Sequence, residues 1–456
     1  MKPFLNFNTL LLLIFFSCEK NSPAPTTNSD LTDATPPQYG TPFMSVPDRQ
    51  DVVMYQVNIR AFSNKGNFAG VIARLDSIKA LGVNVIYLMP IYPIGQIRSI
   101  NSPYCVRDYR AVNHEFGTLN DLRALVDSAH SKRMSVILDW VANHTSWDNA
   151  WINTNKSWYV QGPSGDIISP NGWNDVAQLN FNNSSMRLQM IRNMKYWVFT
   201  ANIDGFRCDY ADGPPDDFWK QAIDSLRGIK TRKLLLLAEG SRSSNYASGF
   251  DFNFGFSFYH TLKSIYANNS SVQLIDNINN IESDGAVNGQ KVVRYITNHD
   301  VNSSDGTPLD LFNGKNGSKA AFVVAALMNS VPMIYNGEEV GMSSSIKFPF
   351  TSVKIDWTVG QDMTDFYKKV IAIRNNSNAI RRGNVMPYSD QDVCVFIKQK
   401  ELEKVLVIIN LRNKSVDYSL PSSFHNTSWT DAINGEVKFL SAKLTLQPYS
   451  YYILRN

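Results

Sequence analysis

The stretch DGFRCDY, Asp204 to Tyr210, follows the apolar segment YWVFTANI and reads as a buried strand that carries a guanidinium and a carboxylate. Charges inside a protein cost several kcal/mol per ion unless each is paired or used. Side chains alternate along a strand, so Arg207 and Asp209 project to one face while Phe206 and Cys208 project to the other. One face of this strand carries chemistry and the other packs.

Outward from that strand, short apolar runs alternate with amphipathic stretches. DVVMYQV, VNVIYLMP, MSVILDW, IDGFRCD, KLLLLAEG, GFDFNFG, VVRYITNHD and VPMIYNGEE make eight strands, in the pattern of parallel βαβ units. FAGVIARLDSIKALG reads as one helix, with Phe68, Ile72, Leu75, Ile78 and Leu81 three or four residues apart and Gly82 as its stop. LNDLRALVDSAHSK is the helix after the second strand. Eight such units are what an α/β fold of the (β/α)8 barrel type requires, here over residues 45–144 and 184–377. The interval 145–183, rich in Trp, Asn, Gly and Pro, is too long for a simple connection and reads as a small inserted domain after the third strand. Beyond the helix around Phe366 to Arg374 come VCVFIKQ, KVLVIINL and LTLQPYSYYIL, short alternating strands that predict a C-terminal antiparallel β-sandwich domain over 378–456.

The chain has 456 residues, 43% of them hydrophobic, enough for a large core and more than one domain. Its formal charge of +4 comes from 44 basic and 40 acidic residues spread along the sequence. With no Lys/Arg run to track phosphates, nucleic acid is excluded as a partner. Residues 1–18 differ from the rest: Lys2, an apolar run from Phe4 to Phe16, then Ser17 and Cys18. That is the layout of an export signal, and the run is too short for the roughly 20 residues of a spanning helix. A Cys after a small residue is similar to a bacterial lipobox, which makes Cys18 the expected lipidated residue and membrane attachment the expected localisation. An ordinary signal peptide with an incidental Cys is the alternative. Residues 19–44, rich in Pro, Ser, Thr and Asn, predict a tether. The remaining Cys105, Cys208 and Cys394 are odd in number and read as buried free thiols.

Barrel strands deliver their last residues to one rim, where catalytic groups collect. VILDWVANH brings Asp139, Asn143 and His144; IDGFRCD brings Arg207 and Asp209; LLLLAEG brings Glu239; YITNHD brings His299 and Asp300. One strand-end acid could be a cap or a loop salt bridge, but four acids, two His and an Arg on one rim point to a site.

In order and strand position these four segments resemble the signature regions of the α-amylase family of retaining glycoside hydrolases. NIRAFSNKGNFAGV, SPYCVRDYRAVNHEFGT and VPMIYNGEEVGM extend the resemblance over nearly the whole chain beyond Tyr55. It implies that Asp209 is the nucleophile and Glu239 the acid/base, with Asp300, His299 and His144 holding the hydroxyls of the distorted sugar ring. It also implies Tyr104 as the aromatic platform, although the family's preceding His-Gly is Ser102-Pro103 here. Asp139 is expected to support these groups from behind. Arg207, two positions from Asp209 on the same face, is expected to keep that carboxylate ionised and lower its pKa. Glu239, among carboxylates and without a partner of its own, is expected to retain its proton.

The chemistry needs no cofactor. In many family members the counterpart of Asn143 binds a structural Ca²⁺ with an Asp of the inserted domain and a carbonyl beyond the nucleophile strand. Here the Asp position is Gln178 and the usual Lys-His is Asp212-Gly213, which weakens that metal site and leaves Asp175 as a compensating donor. The implied function is hydrolysis of α-1,4-glucosidic bonds in starch or maltooligosaccharides through a covalent glycosyl-enzyme. An oligosaccharide-specific α-glucosidase or neopullulanase-like enzyme, or a glycosyl-transferring relative, shares every catalytic residue. A non-catalytic glycan-binding lipoprotein should lack one of Asp209, Glu239 and Asp300, and all three are present.

Overall fold

The apolar runs form eight strands: β1 (Met54–Val57), β2 (Val85–Leu88), β3 (Ser135–Val141), β4 (Gly205–Asp209), β5 (Leu235–Ala238), β6 (Phe252–Phe254), β7 (Lys291–Arg294) and β8 (Ser330–Tyr335). They are buried on both faces, as strands between a packed interior and a ring of helices must be. All pair in parallel and close in the order β1-β8-β7-β6-β5-β4-β3-β2. Register sets what meets at the rim: Asp139 of β3 lies directly beside Arg207 of β4. The computed structural model describes residues 35–456, so the expected export signal, Cys18 and residues 19–34 of the expected tether lie outside the described residues.

Within that expected tether, residues 36–44 lie against the barrel. Tyr39 donates its hydroxyl to Asp127 at 2.7 Å and its N–H to the Phe199 carbonyl at 2.8 Å, while Phe43 stacks on His130 at 4.1 Å. Two aromatic rings among polar residues were enough to anchor the segment. The helix expected over 68–82 is two, Phe68–Ile72 and Leu75–Ala80. Arg74 between them leaves helical geometry at φ −114°, ψ 6°, and places its guanidinium over the Trp357 ring at 4.1 Å. That cation–π contact is a tertiary interaction that apolar periodicity does not register.

The insert carries a short antiparallel pair, His144–Ser146 with Val176–Gln178, which seats it on the end of β3. The C-terminal domain begins with the strand Asn384–Pro387 and contains a six-stranded antiparallel sheet and a two-stranded ribbon. Val395, Leu406 and Ile408 of the sheet pack on Tyr418 and Leu446 of the ribbon, the two layers of a sandwich. Cys105, Cys208 and Cys394 are free and buried. No helix among the described residues is long and apolar enough to cross a membrane.

Candidate active site

Arg207 is the hub. It is fully buried, and its Nη1 donates to Asp139 Oδ1 at 2.6 Å and to Asp209 Oδ1 at 3.0 Å. Its Nη2 makes a close ion pair with Glu239 Oε1 without hydrogen-bond alignment, and its Nε has no hydrogen-bond partner. The expectation that Glu239 has no partner of its own is therefore corrected: the end of β5 brings it to the same guanidinium that holds Asp209. Glu239 also accepts the backbone N–H of Tyr210 at 2.7 Å. Asp139 lies behind, as expected, accepting from Arg207 and from the hydroxyls of Tyr87 at 2.7 Å and Tyr104 at 3.0 Å.

One cation shared among three carboxylates alters the electrostatics. Burial and the charge of Glu239 push the Asp209 carboxyl well above the usual carboxylate range, against the downward pull of Arg207. The expected net lowering of Asp209 is thus corrected, although the direction of the Arg207 contribution is as expected. Burial also raises Glu239, opposed first by Arg207. Groups this close exchange a proton as a unit.

His299 follows β7 and is held on both sides. Gln56 Nε2 lies 2.9 Å from its Nδ1, and Tyr104 Oη lies 2.6 Å from its Nε2. Burial lowers its pKa to about 4, as it does for His144, so both rings are neutral at pH 7. A neutral His299 fits a relay in which Gln56 donates to Nδ1, Nε2–H donates to Tyr104, and Tyr104 donates to Asp139. The Tyr104 ring stacks on His299 at 5.4 Å. Asp300 stands beside it at the mouth, Oδ1 3.3 Å from His299 Nε2. Tyr104, His144, Asp209, Glu239, His299 and Asp300 all line one cavity of ≈ 530 Å³ at the carboxyl ends of the strands.

Sequence reading missed the aromatic wall. Trp173 of the insert and Tyr210, the residue after Asp209, also line the cavity and meet edge to face at 5.1 Å. Tyr210 has φ +42°, and its hydroxyl accepts from Asn171 Nδ2 at 3.0 Å. Gly213 is required beneath it, since a Cβ there would lie 2.5 Å from the Tyr210 ring and 2.7 Å from Asn143 Oδ1. The only available signal was a bulky aromatic immediately after a strand-end acid, with a Gly three residues on.

Asn143 does not sit in a cation cage. Its Oδ1 accepts from Gln178 Nε2 at 3.4 Å and its Nδ2 lies 3.2 Å from His144 Nδ1. The Asp175 carbonyl takes the Cys105 thiol at 3.2 Å. Among the described residues no three His, Cys, Asp or Glu side chains converge as metal ligands. A neutral Asn–Gln pair does not fit a hard divalent ion that wants charged oxygens.

A closed parallel barrel whose strand ends gather three acids, an arginine and two neutral imidazoles at an aromatic-walled cavity defines a glycoside hydrolase. The family profile described as alpha amylase, catalytic domain, matches residues 56–401, and that of the maltogenic amylase C-terminal domain matches 384–453. The chain therefore belongs to the α-amylase family. Among its relatives, alpha-amylase 2 of Dictyoglomus thermophilum is 26% identical over 421 residues, covering 85% of this chain and 70% of that protein. A cyclomaltodextrinase of Thermoanaerobacter pseudethanolicus is 24% identical over 425 residues, covering 86% and 71%. In fold, a noncanonic maltogenic alpha-amylase from Thermotoga neapolitana superposes with a TM-score of 0.80 at 22% identity, covering 89% of this chain and 98% of that one.

Proposed function

We propose that the protein hydrolyses α-1,4-glucosidic bonds of starch or maltooligosaccharides with retention of configuration. The observation that carries this is the placement of Asp209 and Glu239 on the two Nη atoms of one buried guanidinium at the floor of the cavity. A shared guanidinium holds the two carboxyls close, in keeping with the narrow spacing of retaining enzymes, about 5–5.5 Å, and not the wider gap that admits a water.

In the reactive protonation state Asp209 is ionised and Glu239 carries the proton of the pair. Asp209 attacks the anomeric carbon as Glu239 protonates the departing glycosidic oxygen, which leaves a glycosyl ester on Asp209. Glu239, now ionised, takes a proton from water as that water attacks the same carbon, and Asp209 departs as the anion that Arg207 stabilises. Neutral His144 exchanges hydrogen bonds with ring hydroxyls without adding charge, Asp300 accepts from them, and Tyr104, positioned by neutral His299, supports the ring. Contacts of this kind that strengthen toward the oxocarbenium-like state contribute several kcal/mol.

The names of the relatives, α-amylases and a cyclomaltodextrinase among them, support an α-glucan substrate. The Trp173–Tyr210 wall supports a second outcome, transfer to a sugar acceptor that excludes water from the ester. Incubating the chain with maltoheptaose, beside an Asp209→Asn control, tests both. Shorter products released first as α-anomers support retention, and longer products support transfer. Absence of cleavage above the control would overturn the enzyme reading. The N-terminal segment supports export with lipid attached at Cys18, which mass analysis of the membrane-extracted protein tests against a Cys18→Ala variant.

A further inference from the structure

Three basic side chains, Lys398 and Arg374 buried and Lys291 half-buried, lie toward the opposite end of the barrel with no ion-pair partner among the described residues. Lys291 opens β7, and its Nζ donates to Asn329 Oδ1 at 2.5 Å. Lys398, fully buried in the C-terminal sheet, donates to the Gly383 carbonyl at 2.6 Å. Arg374, 1% exposed, donates from Nη2 to the carbonyls of Gln50 at 3.1 Å and Ser330 at 3.4 Å, while its Nε and Nη1 have no hydrogen-bond partner. The nearby acids are committed elsewhere: Asp51 to Arg381 and Arg382, and Glu282 to Arg294. Among the described residues, none of the three cations makes an ion pair.

Of the three, Lys291 alone lines a cavity, while Lys398 and Arg374 bond to carbonyls of its wall. Lys291, Asn329, Gly383 and Gln50 line one polar cavity of ≈ 690 Å³, so each cation either faces it or bonds to a residue of its wall. Arg382 also lines it, tied to Asp51, and the one lining carboxylate is the exposed Asp284. Burial, with the repulsion of neighbouring cations, pulls Lys291 down to about 8, Arg374 to about 9 and Lys398 well below the usual lysine range. Interiors tolerate cations that are paired. Here the donors are in place and the counter-charge is missing.

We propose that this cavity binds a small oxyanion of the phosphate class, contacted by Lys291, with Arg382 on the same wall and Arg374 behind it. The site serves no step of the hydrolysis, because it lies at the amino ends of β7 and β8 while Asp209 and Glu239 sit at the carboxyl ends of their strands.

Titrating the full chain with inorganic phosphate, at an ionic strength held constant with sodium chloride, tests this by calorimetry and by Tm. The expected result is saturable binding with a rise in Tm beyond that of chloride. Lys291→Met should weaken it by about tenfold or more, the loss of one charge-assisted contact. Asp284→Asn should tighten it by removing the opposing charge, and maltoheptaose cleavage should be unchanged in both. If Lys291→Met fails to fold, the wild-type titration and Asp284→Asn still decide. No saturable phosphate binding, or binding indifferent to both substitutions, overturns the proposal.

Discussion

The backbone N–H of Tyr210 donates to Oε2 of Glu239 at 2.7 Å, so the residue after the expected nucleophile orients the expected acid. It does so with a positive φ, in a conformation clasped by Trp173 and Asn171 from the insert. A donor to the charged form lowers a carboxyl pKa. Tyr210→Gly keeps the backbone conformation accessible, so its alkaline limb in kcat/KM should stay in place while KM rises from loss of the ring. Tyr210→Val puts a β-branched residue where strain costs about 1–3 kcal/mol and displaces the amide. Its alkaline limb should move to higher pH. Coincident pH profiles of the two variants would count against this role.

Asp139, Asp209 and Glu239 crowd one cation, and burial with the charge of Glu239 raises Asp209 well above the usual carboxylate range. A folded pKa above the unfolded value means that stability is fully present below the unfolded pKa and is lost as pH rises through the folded one. At pH 7 this carboxylate therefore costs the fold stability. Asp209→Asn should raise Tm at pH 7 and lower kcat by about 10³-fold or more, as expected for a missing nucleophile. Calorimetry and initial rates check the two halves separately.

His144 and His299 carry the opposite sign. Burial holds both at about 4, against 6.5 when solvated. Their contribution is complete above pH 6.5 and is lost as pH falls toward 4, since the unfolded chain takes up the protons first. Each accounts for up to about 3 kcal/mol across that window. His299→Gln should show a shallower fall of Tm between pH 7 and 4.5 than the wild type, and an unchanged slope would argue against a buried neutral ring.

Asn143 faces Gln178 in a neutral pair. Tm and maltoheptaose cleavage should therefore be the same in excess EDTA and in millimolar Ca²⁺. A rise in Tm with Ca²⁺ that Asn143→Ala abolishes would show that a donor set does assemble there.

Arg207→Gln should be the most damaging substitution in the site. It leaves buried Asp139 and Asp209 and the partly buried Glu239 with no cation, a loss of about 3–5 kcal/mol by analogy with broken buried pairs. Urea unfolding measures it, and the activity loss should match or exceed that of Asp209→Asn.

Much of the barrel was legible along the chain because its information is local. The period of two in IDGFRCD set Arg207 and Asp209 on one face, and polar residues ending apolar runs marked the rim. The break at Arg74 was not legible, because a guanidinium over Trp357 depends on a residue far away in the sequence. For the same reason the partner of Glu239 was not legible: the pairing of β4 with β5 gives it a share of Arg207.

By itself, then, the sequence determined the strand order, the catalytic face and the identity of the groups presented there, since each follows from alternation and position within one segment. Only the tertiary structure decided how charge is divided among those groups, which aromatics wall the cavity, and that Lys291 faces a second cavity with Lys398 and Arg374 bonded to its wall. Those are distances of a few ångströms between distant segments, and electrostatics and hydrogen bonding depend on the distances and not on the order of residues.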